Sequence, residues 1–491
     1  MSKSLNQIVR KLCVLFLVLS ALSCGEGLPE YENALCITNV AMIDATNGLR
    51  EYRTVVVQEG RIVSITHKDS VRLLSNNEVV DGTGKYLIPG LWDTHVHFAY
   101  DTILAPSMLD LFFVHGITSV RDTGGRLKSV KPYKQMAEEN PMDLPRVMMA
   151  GPLIDGTPNV YDGSSDRLPP LSVRIESELD VVEVVNRLEN EGVDLLKAYE
   201  MLSEKEFLQV MKLAKAKGLP VAGHIPLSMD AISVSEAGMN SIEHMRNLEL
   251  SCASNSDSLL QIRRQMLKVP MGIGGSVLRA SIHKAQKEVA MDLYDEVVAD
   301  EVLNVFAKND TWQVPTLVLN GVLSFDHVTR EDWRDTFDLL PDSLRKSWNA
   351  GSKRIAVMLT NNASWKKSTD WQMMMLKKVK AKNIGIMAGT DTPIAFLTPG
   401  YSLHEELYLL VQSGLTPMEA LETATLKPAE YFGLENEEGL LQEGFLADMV
   451  LLDGSPLENI RNTRNIQAVI KGGKLHDMTA LEQRKRSLQK R

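Results

Sequence analysis

Eight short apolar runs, each followed by a longer segment with helical periodicity, limit what this chain can fold into. They cover residues 86–97, 117–122, 146–150, 193–197, 220–224, 241–244, 313–318 and 384–391. β-Branched residues are frequent in them, and the segments between are long enough for crossover helices. Repeated βα units build a parallel sheet, and eight of them make a TIM-like (β/α)8 barrel, of the α/β class, the economical fold.

The informative residues are the polar ones that interrupt these runs at their ends. The first run closes on His95 and His97, the fourth on Lys197, the fifth on His224, the sixth on His244 and the eighth on Asp391. Alternation along a strand puts His95 and His97 on one face, one pleat apart, where two imidazoles can share a metal ion. The C-terminal strand ends of a barrel converge on one cavity. Taken singly, each residue has a plainer reading: a satisfied core or loop histidine, a solvated lysine, an Asx turn ahead of Thr392-Pro393. All six in this order at strand ends point to one site instead.

The 491 residues exceed what a minimal barrel of roughly 250 needs, and the surplus has a pattern. Short β runs punctuated by Asn47-Gly48 and Glu59-Gly60 occupy 34–84, and a matching β block occupies 440–476. The two blocks are expected to meet in one β-sandwich flanking a barrel at 85–439. A Pro/Gly/Asp-rich loop at 152–175 and charged, helical insertions at about 250–310 and 320–380 follow barrel strands. Such insertions sit on the active-site face, where a lid would set substrate choice.

Hydrophobic and charged fractions of 44% and 24% are those of an ordinary globular protein. A net charge of −10 with no basic stripe argues against nucleic acid as a partner. The N-terminus reads as a targeting segment: Lys3, Arg10 and Lys11 precede an apolar stretch, Leu12 to Leu22, that suits a signal peptide better than a bilayer span. It closes on Ala21-Leu22-Ser23-Cys24-Gly25, which resembles a bacterial lipoprotein signal with Cys24 lipidated once residues 1–23 are removed. Ordinary secretion and an uncleaved anchor are the alternatives. The expected location is a bacterial envelope, periplasm or cell surface, with the lipid as the only membrane contact. Cys36 and Cys252 remain, too few for a disulfide framework. No Cys/His cluster exists, so any metal site is built from histidine and carboxylate.

The ordered set His95, His97, Lys197, His224, His244 and Asp391 resembles the amidohydrolase superfamily, specifically its binuclear members with a carboxylated lysine. Within these it is most similar to the branch of imidazolonepropionase-like proteins and Xaa-Pro dipeptidase-like hydrolases. The likeness runs from about residue 34 to 476 and takes in 116–122, Leu403-His404-Glu405-Glu406-Leu407, 414–421 and a G-x-x-x-x-G-x-x-A-D pattern from Gly439. It implies that His95, His97 and Asp391 bind the more buried of two divalent metals, and His224 and His244 the more exposed one. Lys197, carboxylated by carbon dioxide, would bridge them. An ammonium there would be repelled and has no lone pair, whereas a carbamate offers two anionic oxygens. The resemblance also implies a shared hydroxide of lowered pKa, with Asp391 passing its proton to the leaving group. Zinc is the default metal for imidazole and carboxylate ligands with an open position.

Weaker candidates surround this set. Tyr199 reads either as a group that hydrogen-bonds the tetrahedral intermediate or a substrate carboxylate, or as a packing tyrosine. His404, on the helix after the eighth strand, is a second substrate-binding candidate, and His115 ends a helix. Arg121 and Asp122 read as a structural ion pair at the mouth of the second strand, with substrate contact the other option, and His67, His283, His327 and His476 as surface or packing residues. No dense Arg or Lys cluster marks an anion pocket.

The implied activity is hydrolysis of an amide bond in a small molecule, with dipeptides and N-acyl amino acids first; ester or lactone hydrolysis uses the same machinery. A mononuclear deaminase or cyclic amidohydrolase ranks second. Those deaminases need an acid/base carboxylate near the strand-five histidine, and Ile225-Pro226-Leu227 after His224 offers none. A surface binding protein that has lost catalysis ranks third, opposed by the intact six. Oligomeric state has no signature in the sequence.

Overall fold

The computed structural model describes residues 28–490 apart from 166–167, 269–271 and 360–362; the expected signal at 1–23 and Cys24 lie outside the described residues. The apolar run at 86–97, expected as one strand, is two. Tyr86–Pro89 and Leu91–Val96 belong to different sheets. The chain changes partners at Gly90, whose N–H donates to the Asp448 carbonyl at 2.8 Å while that of Leu91 donates to Gly116 at 3.3 Å. A Cβ on Gly90 would lie 2.2 Å from Thr118 Oγ1, so only glycine lets the two backbones approach here.

Tyr86–Pro89 lies in a mixed eight-stranded sheet drawn from both ends of the chain, and so extends that sheet past the expected boundary at 84. On one side it pairs with Leu35–Asp44, which leads on to Gly48–Gln58 and Arg61–His67. On the other it runs antiparallel to Met449–Leu452, followed by Ile466–Lys471 and Lys474–Asp477. Ile37, Val55, Leu87, Met449, Leu451 and Ile470 form the apolar core of this flanking sheet.

Parallel strands make up the centre. Leu91–Val96, Ile117–Asp122 and Arg146–Met149 form one sheet. Leu153–Asp155, Leu196–Ala198, Val221–Gly223, Ser241–Glu243 and Trp312–Val314 form another, with Ser172–Arg174 at its edge. The expected loop at 152–175 thus contributes two short strands. Asp194 links the sheets by donating its N–H to Met149 at 2.9 Å. The eighth run is less regular than expected. Residues 384–392 carry only isolated parallel bridges, Ile386 to Gln313 and Thr392 to Val96. They still span the space between the sheets: Gln313 bonds Gly385 and Met387 on one side, and Thr94 N–H reaches Ala388 on the other. This is the TIM-like barrel arrangement, flanked by a sheet.

Helices cover the parallel strands. Glu204–Lys217 shows why: Ser203 and Glu206 form a capping box, and Gly218 closes the helix in the left-handed conformation. Phe207, Val210, Met211 and Ala214 make its buried stripe at helical spacing. The segments at 250–310 and 320–380 hold the helices Ser256–Met266, Gly275–Asp292 and Glu296–Asn309, then Asp342–Leu359 and Ala363–Ala381. Cys36 and Cys252 are buried and unpaired.

Candidate metal centre

All six strand-end residues line one cavity of about 150 Å3. His95, His97 and Asp391 form its tightest group, with one donor atom from each lying within 4.8 Å of the others. His97 Nε2 stands 3.0 Å from Asp391 Oδ1, and His95 Nε2 stands 3.5 Å from the same oxygen. His244 Nε2 lies 3.5 Å from Asp391 Oδ2. The His224 ring sits 5.0 Å from that of His244. His244 and Asp391 hold φ values of +60° and +63°, a conformation that costs a non-glycine residue energy and is retained where function over-determines it.

Each imidazole is fixed from behind through Nδ1. His95 donates to Glu243 Oε2 at 2.6 Å, His97 to the Gly124 carbonyl at 2.8 Å, and His224 to Glu200 Oε1 at 2.8 Å. His244 Nδ1 pairs with the Thr316 hydroxyl at 2.6 Å. An imidazole whose Nδ1–H is donated keeps a lone pair on Nε2, the form a metal requires. His95 Nε2, His224 Nε2, Lys197 Nζ and Asp391 Oδ1 are buried and have no hydrogen-bond partner. Four donor atoms orphaned on one cavity fit a site for divalent metal.

Burial sets the protonation of these groups. It holds His95 and His244 well below the usual histidine range and His224 down to about 3, so all three stay neutral. Asp391 beside His97 outweighs burial there and keeps that imidazole above its ordinary value. Burial pulls the Lys197 amine down to about 8.

Behind the histidines stand carboxylates that the strand-end pattern does not pick out. Glu243 is fully buried and accepts from Arg121 Nη2 at 2.9 Å on both oxygens. Arg121 overrides burial and holds the Glu243 carboxyl below its ordinary value. Glu200, also fully buried, takes His224 on one oxygen and lies 3.1 Å from His283 Nε2 on the other. Asp93 fixes the Asp391 turn by accepting from Thr390 Oγ1 at 2.7 Å.

The amidohydrolase family's model matches residues 86–476 of this chain. The chain belongs to that family. This amidohydrolase is 24% identical to imidazolonepropionase of Geobacillus kaustophilus over 450 residues, covering 87% of the chain and 91% of the relative. It is 21% identical to adenine deaminase 2 of Shouchella clausii over 273 residues, 52% of this chain and 44% of that one. The chain thus spans less than half the length of the adenine deaminases it matches. A crystal structure of a Xaa-Pro dipeptidase with bound methionine superposes with a TM-score of 0.64 at 19% identity, covering 90% of this chain and all of that one. Likeness at that identity speaks to the fold alone.

The weaker candidates separate clearly in this amidohydrolase. Tyr199 lines the cavity, its ring 4.5 Å from that of His224. His404 does not reach it: its ring bonds Thr463 Oγ1 at 2.9 Å and the His115 carbonyl at 3.0 Å, so the substrate-binding expectation is corrected. The helix Tyr401–Gln412 turns that side chain toward the 460–464 turn instead. Arg121 and Asp122 are not an ion pair, because neighbours on a strand point to opposite faces. Arg121 pairs with Glu243, while Asp122 accepts from the N–H groups of Phe98 and Gly124. His283, expected at the surface or in packing, instead stands beside Glu200. His115 does end the helix Ala105–Val114. The ground for ranking a deaminase second also changes: a carboxylate does stand beside His224, but Glu200 lies on the Nδ1 side, away from the cavity.

Proposed function

We propose that this amidohydrolase cleaves an amide bond in a dipeptide or N-acyl amino acid, using two divalent metals, zinc by default. The observation that carries this reading is the set of buried, unpartnered donors on one cavity: His95 Nε2, His224 Nε2, Lys197 Nζ and Asp391 Oδ1. His95, His97 and Asp391 would hold one metal, His224 and His244 the other, and Lys197 carrying carbon dioxide as a carboxylate would lie between. Bound there, the metals would supply a nucleophile from water near neutral pH and polarise the scissile carbonyl. The chain's own residues do the rest. Glu243, Gly124, Glu200 and Thr316 fix the imidazoles so that Nε2 faces the cavity. Asp391, whose Oδ1 faces the His95 and His97 Nε2 atoms, would take a proton and return it to the leaving amine. The Lys197 amine shares the cavity with the neutral imidazoles of His95, His224 and His244, and burial favours its uncharged form, the form that adds carbon dioxide.

Metal content per chain tests the reading, on protein lacking residues 1–24 and purified without added metal or chelator. Two equivalents, falling to one or fewer in Lys197→Ala, are expected. One equivalent, unchanged by that substitution, would sink the bridging role and move deamination or ring opening ahead. We further infer export with a lipid on Cys24. Among the described residues no helix is long and apolar enough to cross a membrane. Cys24→Ser should abolish lipid labelling; labelling that persists refutes the anchor.

A further inference from the structure

Two guanidiniums on the cavity wall have no part in holding the histidines. Arg246 follows His244 by two positions, and Arg279 lies on the inserted helix Gly275–Asp292; both line the cavity. They share Glu200, at 3.8 and 3.5 Å. That carboxylate is already engaged by His224 at 2.8 Å, His283 at 3.1 Å and Asn247 at 3.3 Å. Two guanidiniums against one shared carboxylate leave a net positive charge on the wall. Arg246 Nε is buried and has no hydrogen-bond partner. Arg279 is held in place, with Nη1 3.1 Å from Tyr199 Oη and its guanidinium 5.8 Å from the centre of the Tyr161 ring. The Tyr199 ring lies tilted beside that of His224, so the held guanidinium stands one aromatic ring from a candidate metal donor.

We propose that Arg246 and Arg279 form a subsite for the substrate's free carboxylate, so that the enzyme takes amino acid derivatives with an ionised carboxyl and rejects their neutral amides. Both guanidiniums are partly shielded from water, with side chains 31% and 19% exposed; an excess cation in such a wall is stabilised by an anion that joins it, and the planar guanidinium fork matches a carboxylate. The cavity of about 150 Å3 is well below the roughly 300 Å3 at the low end of drug-sized sites, which suits a small acid. The subsite rests on the amide-hydrolysis reading only for which bond is cut.

The test is calorimetric titration of the metal-bearing protein with leucine, methionine and phenylalanine, each against the amine formed by removing its carboxyl group. None of these probes has an amide bond, so turnover does not enter. At least one amino acid is expected to bind on the order of 30-fold or more tighter than its amine. Arg279→Met or Arg246→Met should erase that preference, and Arg279→Lys should restore part of it. If no amino acid binds more tightly than its amine in the wild type, or the preference survives in both Met variants, the proposal is overturned. The wild-type comparison holds even if a variant misfolds. An acid preference with no amide hydrolysed would sink the activity and keep the subsite. Equal kcat/KM for N-acetyl amino acids and their carboxamides would do the reverse.

Discussion

Glu243→Gln removes one charge at almost constant volume, and the contacts of that carboxylate set the cost. Glu243 receives Arg121 Nη2 on both oxygens at 2.9 Å, Ser241 Oγ at 2.8 Å and His95 Nδ1 at 2.6 Å. A glutamine oxygen can still accept, but its NH2 group turns a donor toward another donor. Arg121 is 0% exposed and would become a buried cation with no compensating charge. Breaking such a pair costs about 3–5 kcal/mol. Arg121 keeps its bonds to the Thr94 carbonyl and Ser241 Oγ, so the lower end, about 3 kcal/mol, is expected. His95 also loses the acceptor that orients it, which should weaken metal binding about 10–100-fold. Denaturant unfolding of the metal-free protein reads the first effect, and titration against a competing chelator reads the second. Adding Arg121→Met should recover most of the stability, because no lone charge is left, but none of the metal affinity. Wild-type stability and affinity in the single variant would refute the link between this ion pair and the metal centre.

Glu406 supplies a pH test. Its carboxyl accepts from the N–H groups of Leu317 and Val318, yet burial raises it to about 8. The folded state therefore holds a proton that the unfolded state has lost above pH about 4.5. The stabilisation is full below that point and disappears as pH rises toward 8, with a slope of at most about 1.4 kcal/mol per pH unit. Unfolding free energies of wild type and Glu406→Gln between pH 5 and about 8 should converge or cross by that slope; parallel curves refute it. His404→Gln should cost about 1–3 kcal/mol of stability while leaving metal content and KM unchanged, since its partners are Thr463 and a backbone carbonyl. A raised KM would return it to the substrate. Gly90→Ala should lower the melting temperature, through about 1–3 kcal/mol of overpacking against Thr118; an unchanged melt would show that Thr118 moves aside.

The candidate metal donors are legible because a polar residue ending an apolar strand needs a reason, and six such residues in barrel order line one cavity. The eighth strand is legible as a run but not as a strand: Asn383 and Asp391 adopt positive φ, and one isolated bridge, at Ile386, survives between them. Glu243 and Arg121 give a fainter signal, a charge inside an apolar strand, which demands a partner. Nothing in either neighbourhood says that the partner lies 122 positions away; only the inward faces of the barrel bring them together. The sequence neighbours of His224 likewise suggest that no carboxylate stands beside it, since Glu200 arrives from the preceding strand end. Arg279 reads as an ordinary helical surface residue until its helix folds over the cavity.

The strand that carries His95 and His97 is preceded directly by Tyr86–Pro89, whose outer neighbour is Met449–Leu452. The ribosome therefore makes the first barrel strand well before its supporting edge. Asp391, the third member of the tightest donor group, also emerges late. A chain that stopped short of Asp391 would lack the carboxylate of that group and keep only its two imidazoles, His95 and His97. Assembly of the centre thus waits on segments far along the chain, and ordering them is an entropic cost met only when those segments fold together.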